Sequence, residues 1–269
     1  MPSSEPKQDF TGKKVITVID SRQARLQKII TTLMSKFKSA EDAYVHLSYE
    51  SVTLSADTAQ TLGLNTDGKQ AQMSGRKGLY VNADSVYDLL KDKTTEETRK
   101  RHTEMTDSEV EKIAHQVSVG TLRYEMIKQD LDKIISFDLT KSLSLEGDTA
   151  PYIQYTFARA SRIIEKSMRT PSIDVDFSLL NDPSELDLIK TIGLFDIHVM
   201  NAAKNLSPKV IARYCHALAV AFNSFYEHIK VLDLGDEKLE NSRLCLVNSF
   251  KLTLEKALEL LGIVAPDKM

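Results

Sequence analysis

The sequence predicts a fragment of a doubly wound α/β domain followed by an all-α helical bundle. Three observations predict it: a change of pattern near residue 105, short β-branched runs before that point, and long amphipathic segments after it. A chain of 269 residues is long enough for one large domain or two of ordinary size. We therefore divide it into a flexible N-terminus (1–12), a partial α/β domain (13–105) and a helical bundle (106–269).

The first part alternates strand-like and helix-like segments. Residues 14–19 form a β-branched run that ends at Asp20 and indicates a buried strand. Helical spacing follows over 22–37, and further short strand candidates lie at 43–47 and 50–54. One face of the predicted helix carries Leu26, Ile29, Ile30, Leu33 and Phe37. Strand, helix and strand in this order are typical of a doubly wound sheet, and the small number of strands predicts an incomplete one.

From residue 106 onward the pattern is helical throughout. The run Thr106–Glu109 is a capping box, in which the threonine hydroxyl and the glutamate carboxylate satisfy each other's backbone amides. Pro151, Pro183 and Pro208 each stand where a first helical residue would lie, and Gly262 marks a helix end. The predicted helices span 151–168, 184–203, 208–230 and 238–261. With the capped helix before them they indicate a bundle of about five or six helices.

Composition excludes several classes of protein. The sequence has no apolar run of the roughly 18 residues that a membrane span needs, and its first residues lack the layout of a signal peptide, so we expect a cytoplasmic protein without membrane contact. Cys215 and Cys245 lie in apolar helical segments without metal-ligand spacing. They are expected to be buried, reduced thiols, and no metal site is predicted.

Charge is distributed unevenly along the chain. The net charge is -3, with +2 in residues 1–105 and -5 in the remainder, so any nucleic-acid contact in the bundle must come from local patches and stacking side chains. Residues 91–104 are dense in charge without an apolar period. They are interpreted as a solvated linker or exposed helix, with a phosphate-contacting patch as the alternative.

The segment 72–78, Gln-Met-Ser-Gly-Arg-Lys-Gly, has the residue types of a phosphate-binding loop. Its glycines permit close backbone approach, its serine offers a hydroxyl, and Arg76 and Lys77 supply two adjacent cations. When an adenylate forms, negative charge accumulates on the departing pyrophosphate, so cations here would stabilise the transition state. By residue type alone, a solvated basic turn is the more frequent explanation of such a segment.

This loop resembles the Lys-Met-Ser-Lys-Ser signature loop of class I aminoacyl-tRNA synthetases, in the form typical of arginyl enzymes. Gln72 stands at the position of the motif's first lysine. The resemblance implies that the loop binds ATP, as its Mg²⁺ complex, with Arg76 and Lys77 also catalytic. The ATP-binding residues that it implies are His46, Met73, Ser74, Gly75, Arg76 and Lys77.

A second segment, 18–23, resembles the strand end that lines the arginine pocket of the same family. It places Gln23 and Asp20 as arginine-binding candidates, since a carboxylate pairs with the planar guanidinium fork. From the residues alone, a cap or strand-end role for Asp20 is favoured over guanidinium binding. The family commonly has a histidine where this chain has Leu26, and that departure puts substrate binding in question.

Three further segments resemble the region that joins the catalytic domain to the anticodon-binding domain, and that domain itself. They are 144–159, 219–226 and 261–269, and with the first two they cover the chain from about residue 14 to its last residue in the family's order. The resemblance implies tRNA-Arg as the partner. The implied tRNA-binding residues are Tyr152, Gln154, Tyr155, Arg159, Asn223, Tyr226 and Met269.

The sequence contains no His-x-Gly-His motif, which in class I synthetases holds the ATP triphosphate opposite the signature loop. We therefore expect this chain alone to be inactive in arginine activation. Either a separate polypeptide or a second copy completes the sheet, whose open edge favours strand pairing, or the chain is a non-catalytic paralogue that acts as a tRNA-binding or protein-interaction module.

Overall fold

A computed structural model of the chain describes residues 14–36, 44–64 and 81–269. These residues divide into two compact units. The smaller unit comprises the described residues up to 53 together with 130–136, and the larger unit comprises 54–129 and 137–269 without the gap at 65–80. An α/β part and a helical part are both present, which confirms the predicted fold class.

The smaller unit is a β-α-β element. Strand β1 (Val15–Asp20) lies parallel to β2 (Tyr44–Tyr49), with Val15 opposite Tyr44 and Asp20 opposite Tyr49. A single 3₁₀ turn, Ser21–Gln23, leads into helix α1 (Ala24–Met34). Parallel strands need such a crossover connection, because the end of the first strand and the start of the second lie at opposite ends of the sheet.

The predicted apolar face of α1 is exposed rather than buried. Leu26, Ile29 and Leu33 keep 51–55% of their surface accessible, and the only buried residue of the helix is Gln27. The Gln27 side chain instead accepts a hydrogen bond of 2.5 Å from the Tyr44 hydroxyl. Val18 of β1 is also 61% exposed. Apolar surface of this two-stranded sheet is therefore uncovered, whereas both faces of a complete parallel sheet are covered.

The larger unit is almost entirely helical. Two further short strands, β3 (Val52–Leu54) and β4 (Ile135–Phe137), form a second two-stranded sheet, and most of their residues belong to the smaller unit. The helices are α2 (Ala56–Thr61), α3 (Ala83–Arg101), α4 (Asp107–Ile127), α5 (Leu139–Ser142), α6 (Ala150–Ser167), α7 (Pro183–Gly193), α8 (Phe195–Asn205), α9 (Lys209–His228) and α10 (Glu237–Leu260).

The core of this unit lies among α6, α7, α9 and α10. Phe222 of α9 and Phe250 of α10 stack at its centre with ring centroids 4.0 Å apart, and both are fully buried. Aromatic pairs in contact stabilise a core beyond the area that they bury. Cys215 is buried in this core and burial raises its pKa, which agrees with the predicted buried thiol.

Local helix signals in the sequence are confirmed. In the capping box of α4 the Thr106 hydroxyl accepts from the Glu109 amide at 3.3 Å, and Glu109 accepts from the Thr106 amide at 2.9 Å. Pro151 and Pro183 lie in the first turns of α6 and α7, while Pro208 lies one residue before α9. Gly262 follows α10 with a φ of 66°, the left-handed conformation of a helix terminus.

The single helix predicted over 184–203 is wrong, because the structure has two. Helix α7 ends at Gly193 and α8 begins at Phe195. Glycine is a poor helix former, and the Tyr214 hydroxyl donates to the Thr191 carbonyl at 3.1 Å, which satisfies an acceptor freed by the break. Within the described ranges no helix is long and apolar enough to cross a membrane, and no three metal-ligating side chains cluster.

Candidate nucleic-acid interface

An arginine side chain lies between two tyrosine rings on the surface of the larger unit. Tyr155 and Arg159 are four residues apart on α6 and therefore share one face, while Tyr226 comes from α9. The guanidinium carbon of Arg159 is 5.0 Å from the Tyr155 ring centroid and 4.6 Å from that of Tyr226. Both contacts are within the range of cation–π attraction, so the guanidinium plane is held in a defined orientation.

Asn223 of α9 holds the Arg159 guanidinium in this position through a hydrogen bond. Its side-chain carbonyl accepts a hydrogen bond of 2.7 Å from Arg159, and its amide donates to the Tyr152 hydroxyl and to the Thr156 hydroxyl, both at 2.9 Å. Asn223 thus links α6 to α9 and uses its hydrogen-bonding groups within the protein. In this geometry the Asn223 side chain positions Arg159.

The rings of Tyr155 and Tyr226 and the guanidinium of Arg159 line a groove with a volume of about 710 Å³. Five arginine and lysine residues line this groove against three acidic residues. Of the cations, Arg101, Arg162 and Lys166 form no ion pair with any described residue. The lining residues are Arg101, His102, Glu104, Met105, Tyr155, Ala158, Arg159, Arg162, Ile163, Glu165, Lys166, Tyr226, Asp267, Lys268 and Met269.

The last residues of the chain form one wall of the groove and are fastened to the bundle. The Asp267 carboxylate accepts from the Ser161 hydroxyl at 2.9 Å and from the Lys251 ammonium at 2.8 Å. The hydrogen bond from Lys251 is the main cause that lowers the pKa of Asp267, with Ser161 contributing. These contacts place Met269 in the groove, beside the other predicted residues.

Gln154 does not reach the groove. It is fully buried, and its amide nitrogen donates to the carbonyls of Gln116 at 3.2 Å and Val264 at 2.7 Å. This placement gives it a structural role in tying α4 and the C-terminal segment to α6, and offers no surface to RNA. Tyr152 is half-buried, and its hydroxyl accepts a hydrogen bond from the Asn223 amide. It therefore packs beneath the groove and holds Asn223 in place.

Of the sequence-predicted tRNA residues, the structure therefore brings Tyr155, Arg159, Tyr226 and Met269 together in one groove. Three residues that sequence reasoning missed, Arg162, Lys166 and Lys268, also line it. Arg159, Arg162 and Lys166 are spaced by three and four residues, so a search for cations on one helical face would have found them. The charge-dense segment 91–104 is helical as far as Arg101, and its end lines the groove.

The arginine-binding candidates lie in the smaller unit. The Asp20 carboxylate caps the 3₁₀ turn and forms a two-pronged pair with Arg22, with oxygen–nitrogen distances of 2.8 and 2.7 Å. This hydrogen bond with Arg22 lowers the pKa of Asp20 to about 2. Asp20 thus has the cap role that the sequence allowed, and its guanidinium partner belongs to the protein. Gln23 is exposed.

His46, assigned to ATP, is half-buried in β2 with its Nε2 3.1 Å from the Ile19 carbonyl oxygen, which is the geometry of a strand residue bonded across the sheet. The remaining ATP-binding candidates, Met73, Ser74, Gly75, Arg76 and Lys77, lie outside the described residues.

A model of the DALR anticodon binding domain matches residues 153–269, which include α7 to α10 and most of α6. The chain is 37% identical over 204 residues to an arginine–tRNA ligase of Methanosarcina barkeri, covering 74% of this chain and 36% of that protein. It is 35% identical over 266 residues to the arginine–tRNA ligase of Bdellovibrio bacteriovorus, covering 97% of this chain and 43% of the relative.

Among solved structures, Thermus thermophilus arginyl-tRNA synthetase superposes with a TM-score of 0.81 at 31% identity, covering 95% of this chain and 41% of that one. The chain thus spans less than half the length of the relatives that it matches. Its matched part includes an anticodon-binding domain and the residues of the groove on α6, α9 and the C-terminal segment.

Proposed function

This chain belongs to the arginyl-tRNA synthetase family, and from that premise we propose that its helical bundle binds the anticodon arm of tRNA-Arg through the groove around Arg159. The observation that carries the proposal is the guanidinium of Arg159 held between Tyr155 and Tyr226 at the edge of a cation-rich groove. Arginine planes and aromatic rings are the surfaces on which proteins stack the unpaired bases of RNA loops.

The electrostatics of the groove support RNA rather than a small neutral ligand. Arg101, Arg162 and Lys166 are exposed cations without ion-pair partners in the described chain, so they are available to phosphates. The bundle as a whole carries a negative balance, which opposes indiscriminate binding to nucleic acid. An RNA strand is therefore expected to contact this protein along the groove and little elsewhere.

Within the same proposal, the chain contributes part of an ATP site to arginylation of tRNA-Arg. Met73, Ser74 and Gly75 would shape the nucleotide pocket, and Arg76 and Lys77 would contact the phosphates of ATP bound with Mg²⁺. Arginine would be held by a complete domain, and the pairing of Asp20 with Arg22 favours Gln23 over Asp20 as this chain's contribution. Formation of arginyl adenylate then requires a complementing polypeptide that carries the other half of the site.

The RNA-binding part is tested with Arg159→Ala and Arg159→Lys in the full chain. Lysine keeps the charge but loses the planar group that the tyrosines orient, so both variants should weaken binding of tRNA-Arg by about tenfold. Arg213→Ala is the matched control, because it removes one exposed cation of α9 that does not line the groove. Equal affinity of wild type and both Arg159 variants would contradict the proposal.

The catalytic part is tested by arginine-dependent exchange between ATP and pyrophosphate. We expect no exchange with the purified chain and recovery of exchange when the N-terminal part of a relative is added. Arg76→Ala and Lys77→Ala should abolish the recovered activity while leaving binding of tRNA-Arg unchanged. Robust exchange by the chain alone would overturn the expected dependence on a second polypeptide.

A second candidate function is a non-catalytic paralogue that binds tRNA or a protein. Leu26 favours it, since the family commonly has a histidine there, and in this chain the side chain is 55% exposed on α1. Complementation decides between the two: a paralogue would bind tRNA-Arg or a protein partner but would restore no exchange activity with any upstream polypeptide.

A further inference from the structure

His102 is the only histidine among the described residues that line the groove, and it follows Arg101 at the end of α3. Its side chain keeps 21% of its surface exposed. Histidine is the side chain that ordinarily gains or loses its charge between about pH 5 and 8. We propose that protonation of His102 adds a cation to the groove, so that the groove holds RNA more tightly as the medium is acidified within this range. The inference rests on the proposed function and adds regulation of the same site by pH.

The hydrogen bonding of the His102 ring determines which nitrogen takes up the proton. Its Nδ1 lies 3.3 Å from Oε1 of Glu104, so Nδ1 carries a hydrogen and donates it to the carboxylate. Nε2 has no hydrogen-bond partner among the described residues, and a proton gained by the ring therefore binds there. The resulting N–H is a charged donor of the kind that forms strong hydrogen bonds to phosphate oxygens.

Glu104 is attracted to two positive groups, and the state of His102 decides which of them it offsets. Its carboxylate stays ionised, because its own backbone amide, the hydrogen bond from His102 and the charges of His102 and Arg162 all lower its pKa. While His102 is neutral, Glu104 weakens the attraction that Arg162 exerts on a phosphate. Once His102 is protonated, its charge lies closest to Glu104, and more of the attraction of Arg162 is available to RNA.

The other charged groups around His102 keep their charge over the same range of pH. They are Arg101 of α3, Glu104 of the following turn, Arg159, Arg162, Glu165 and Lys166 of α6, and Asp267, Lys268 and the terminal carboxylate of Met269. Arginine and lysine are ordinarily protonated, and carboxylates ionised, between about pH 5.5 and 8. These five cations and four anions give a formal charge of +1. Protonation of His102 therefore doubles the positive charge of the groove.

Binding of tRNA-Arg to the full chain between about pH 8 and 5.5, at several salt concentrations, tests the proposal. Wild-type affinity should rise by about fivefold on acidification, and the slope of affinity against salt should steepen by about 0.7, because one more cation meets a phosphate. His102→Asn keeps a neutral donor near Nδ1 and should lose this dependence. His102→Arg carries a permanent charge and should bind at about pH 8 as tightly as the wild type does at about pH 5.5.

His115→Asn is the matched control. His115 is exposed on α4 and does not line the groove, so this variant removes an imidazole at a distance from the proposed switch. It should keep the pH dependence of the wild type. Loss of that dependence in His115→Asn would show that His102 is not its source.

Proton uptake on binding gives a readout that a merely structural role of His102 would not change. If RNA prefers the protonated ring, RNA binding must in turn favour protonation. Calorimetric titrations with tRNA-Arg in buffers of different ionisation enthalpy should therefore show uptake of a fraction of one proton by the wild type near neutral pH. His102→Arg should show no uptake. Absence of uptake by the wild type would overturn the proposal.

The remaining outcomes separate the pH switch from the proposed function. If the wild type binds tRNA-Arg equally well over the whole range of pH, or if His102→Asn keeps the wild-type dependence, the groove binds RNA and the switch is refuted. If His102→Arg binds as weakly as His102→Asn at about pH 8, charge at this position does not control binding, and the switch is again refuted. If the wild-type chain binds no tRNA at any pH, both proposals fail together.

Discussion

The side-chain amide of Gln154 donates a hydrogen bond of 2.7 Å to the carbonyl oxygen of Val264, which lies 110 residues further along the chain. This contact, with the Arg123 guanidinium bonded to the Gly262 carbonyl at 2.8 Å, fastens the C-terminal segment to α4 and α6. Since Met269 at the end of that segment lines the groove, contacts inside the bundle determine the shape of the groove.

Gly120 of α4 faces Gln154 so closely that a methyl group would displace it. A Cβ at residue 120 would lie 2.8 Å from the Gln154 amide nitrogen. Alanine normally stabilises a helix relative to glycine by up to about 1 kcal/mol, but here Gly120→Ala should destabilise the fold by about 1–3 kcal/mol, because the buried amide loses its bonds. Urea unfolding measures the change.

Gly193→Ala is the matched control for that prediction. Gly193 also belongs to a helix, and a Cβ there would meet no atom within 4 Å. It should leave the free energy of unfolding unchanged or slightly raise it. A similar loss of stability in both variants would mean that contact with Gln154 is not the cause.

Gly262 combines backbone strain with a specific contact. Its φ is +66°, and a Cβ would lie 1.7 Å from a terminal nitrogen of Arg123. Gly147→Ala provides the reference, since φ is +78° there and no atom lies within 4 Å. We expect Gly262→Ala to destabilise the protein more than Gly147→Ala, as measured by urea unfolding. The excess should vanish in an Arg123→Ala background.

The contact between Asp267 and Lys251 predicts a dependence of the bundle's stability on pH. The pKa of Asp267 is lowered in the folded protein, chiefly by Lys251, so the ionised carboxylate stabilises the native state. That stabilisation is fully present above the unfolded pKa of about 3.9 and is lost as the pH falls through the lower, folded value. Asp267→Asn should therefore reduce the free energy of unfolding at neutral pH.

The reduction caused by Asp267→Asn should shrink as the pH drops below about 4, because the wild-type carboxyl group is then also neutral. Urea unfolding of both proteins between neutral and acidic pH measures the difference. A difference that stays constant over the whole range would show that ionisation of Asp267 is not the source of the stabilisation.

Local signals in the sequence were sufficient for several elements of this fold. The β-branched run before Asp20, the capping box at Thr106 and the prolines before α6 and α7 act through neighbouring residues, so one sequence reveals them. The break between α7 and α8 depends partly on the distant Tyr214 hydroxyl, which no local pattern contains.

Contacts between remote segments account for what the sequence could not show. Gln154 occupies a family motif and was assigned to tRNA, but its bond to Val264 comes from a segment far along the chain. In α3 the buried positions Val86, Leu90, Thr94 and Thr98 follow a spacing of four residues. The sequence pattern did not reveal this buried face of α3, because two of its four residues are threonines. Threonine counts as polar in such a pattern even where the residue is buried.

Asn223 is predicted to control binding by orienting Arg159. Asn223→Ala removes the 2.7 Å bond that holds the guanidinium between the tyrosines, and should weaken binding of tRNA-Arg by about fivefold without changing its salt dependence. Asn223→Asp keeps an acceptor but adds a negative charge beside Arg159. It should weaken binding by a similar or larger factor and also reduce the slope of affinity against salt, because one cation is neutralised.

Filter binding or fluorescence anisotropy at several salt concentrations measures both the affinity and the slope. Asn205→Asp is the matched control, since it adds the same charge at an exposed position at the end of α8 that does not line the groove. It should change neither quantity appreciably. If Asn223→Ala and Asn223→Asp gave the same slope as wild type and equal affinity losses, Asn223 would act only by joining α6 to α9, and the orientation of Arg159 would not determine binding.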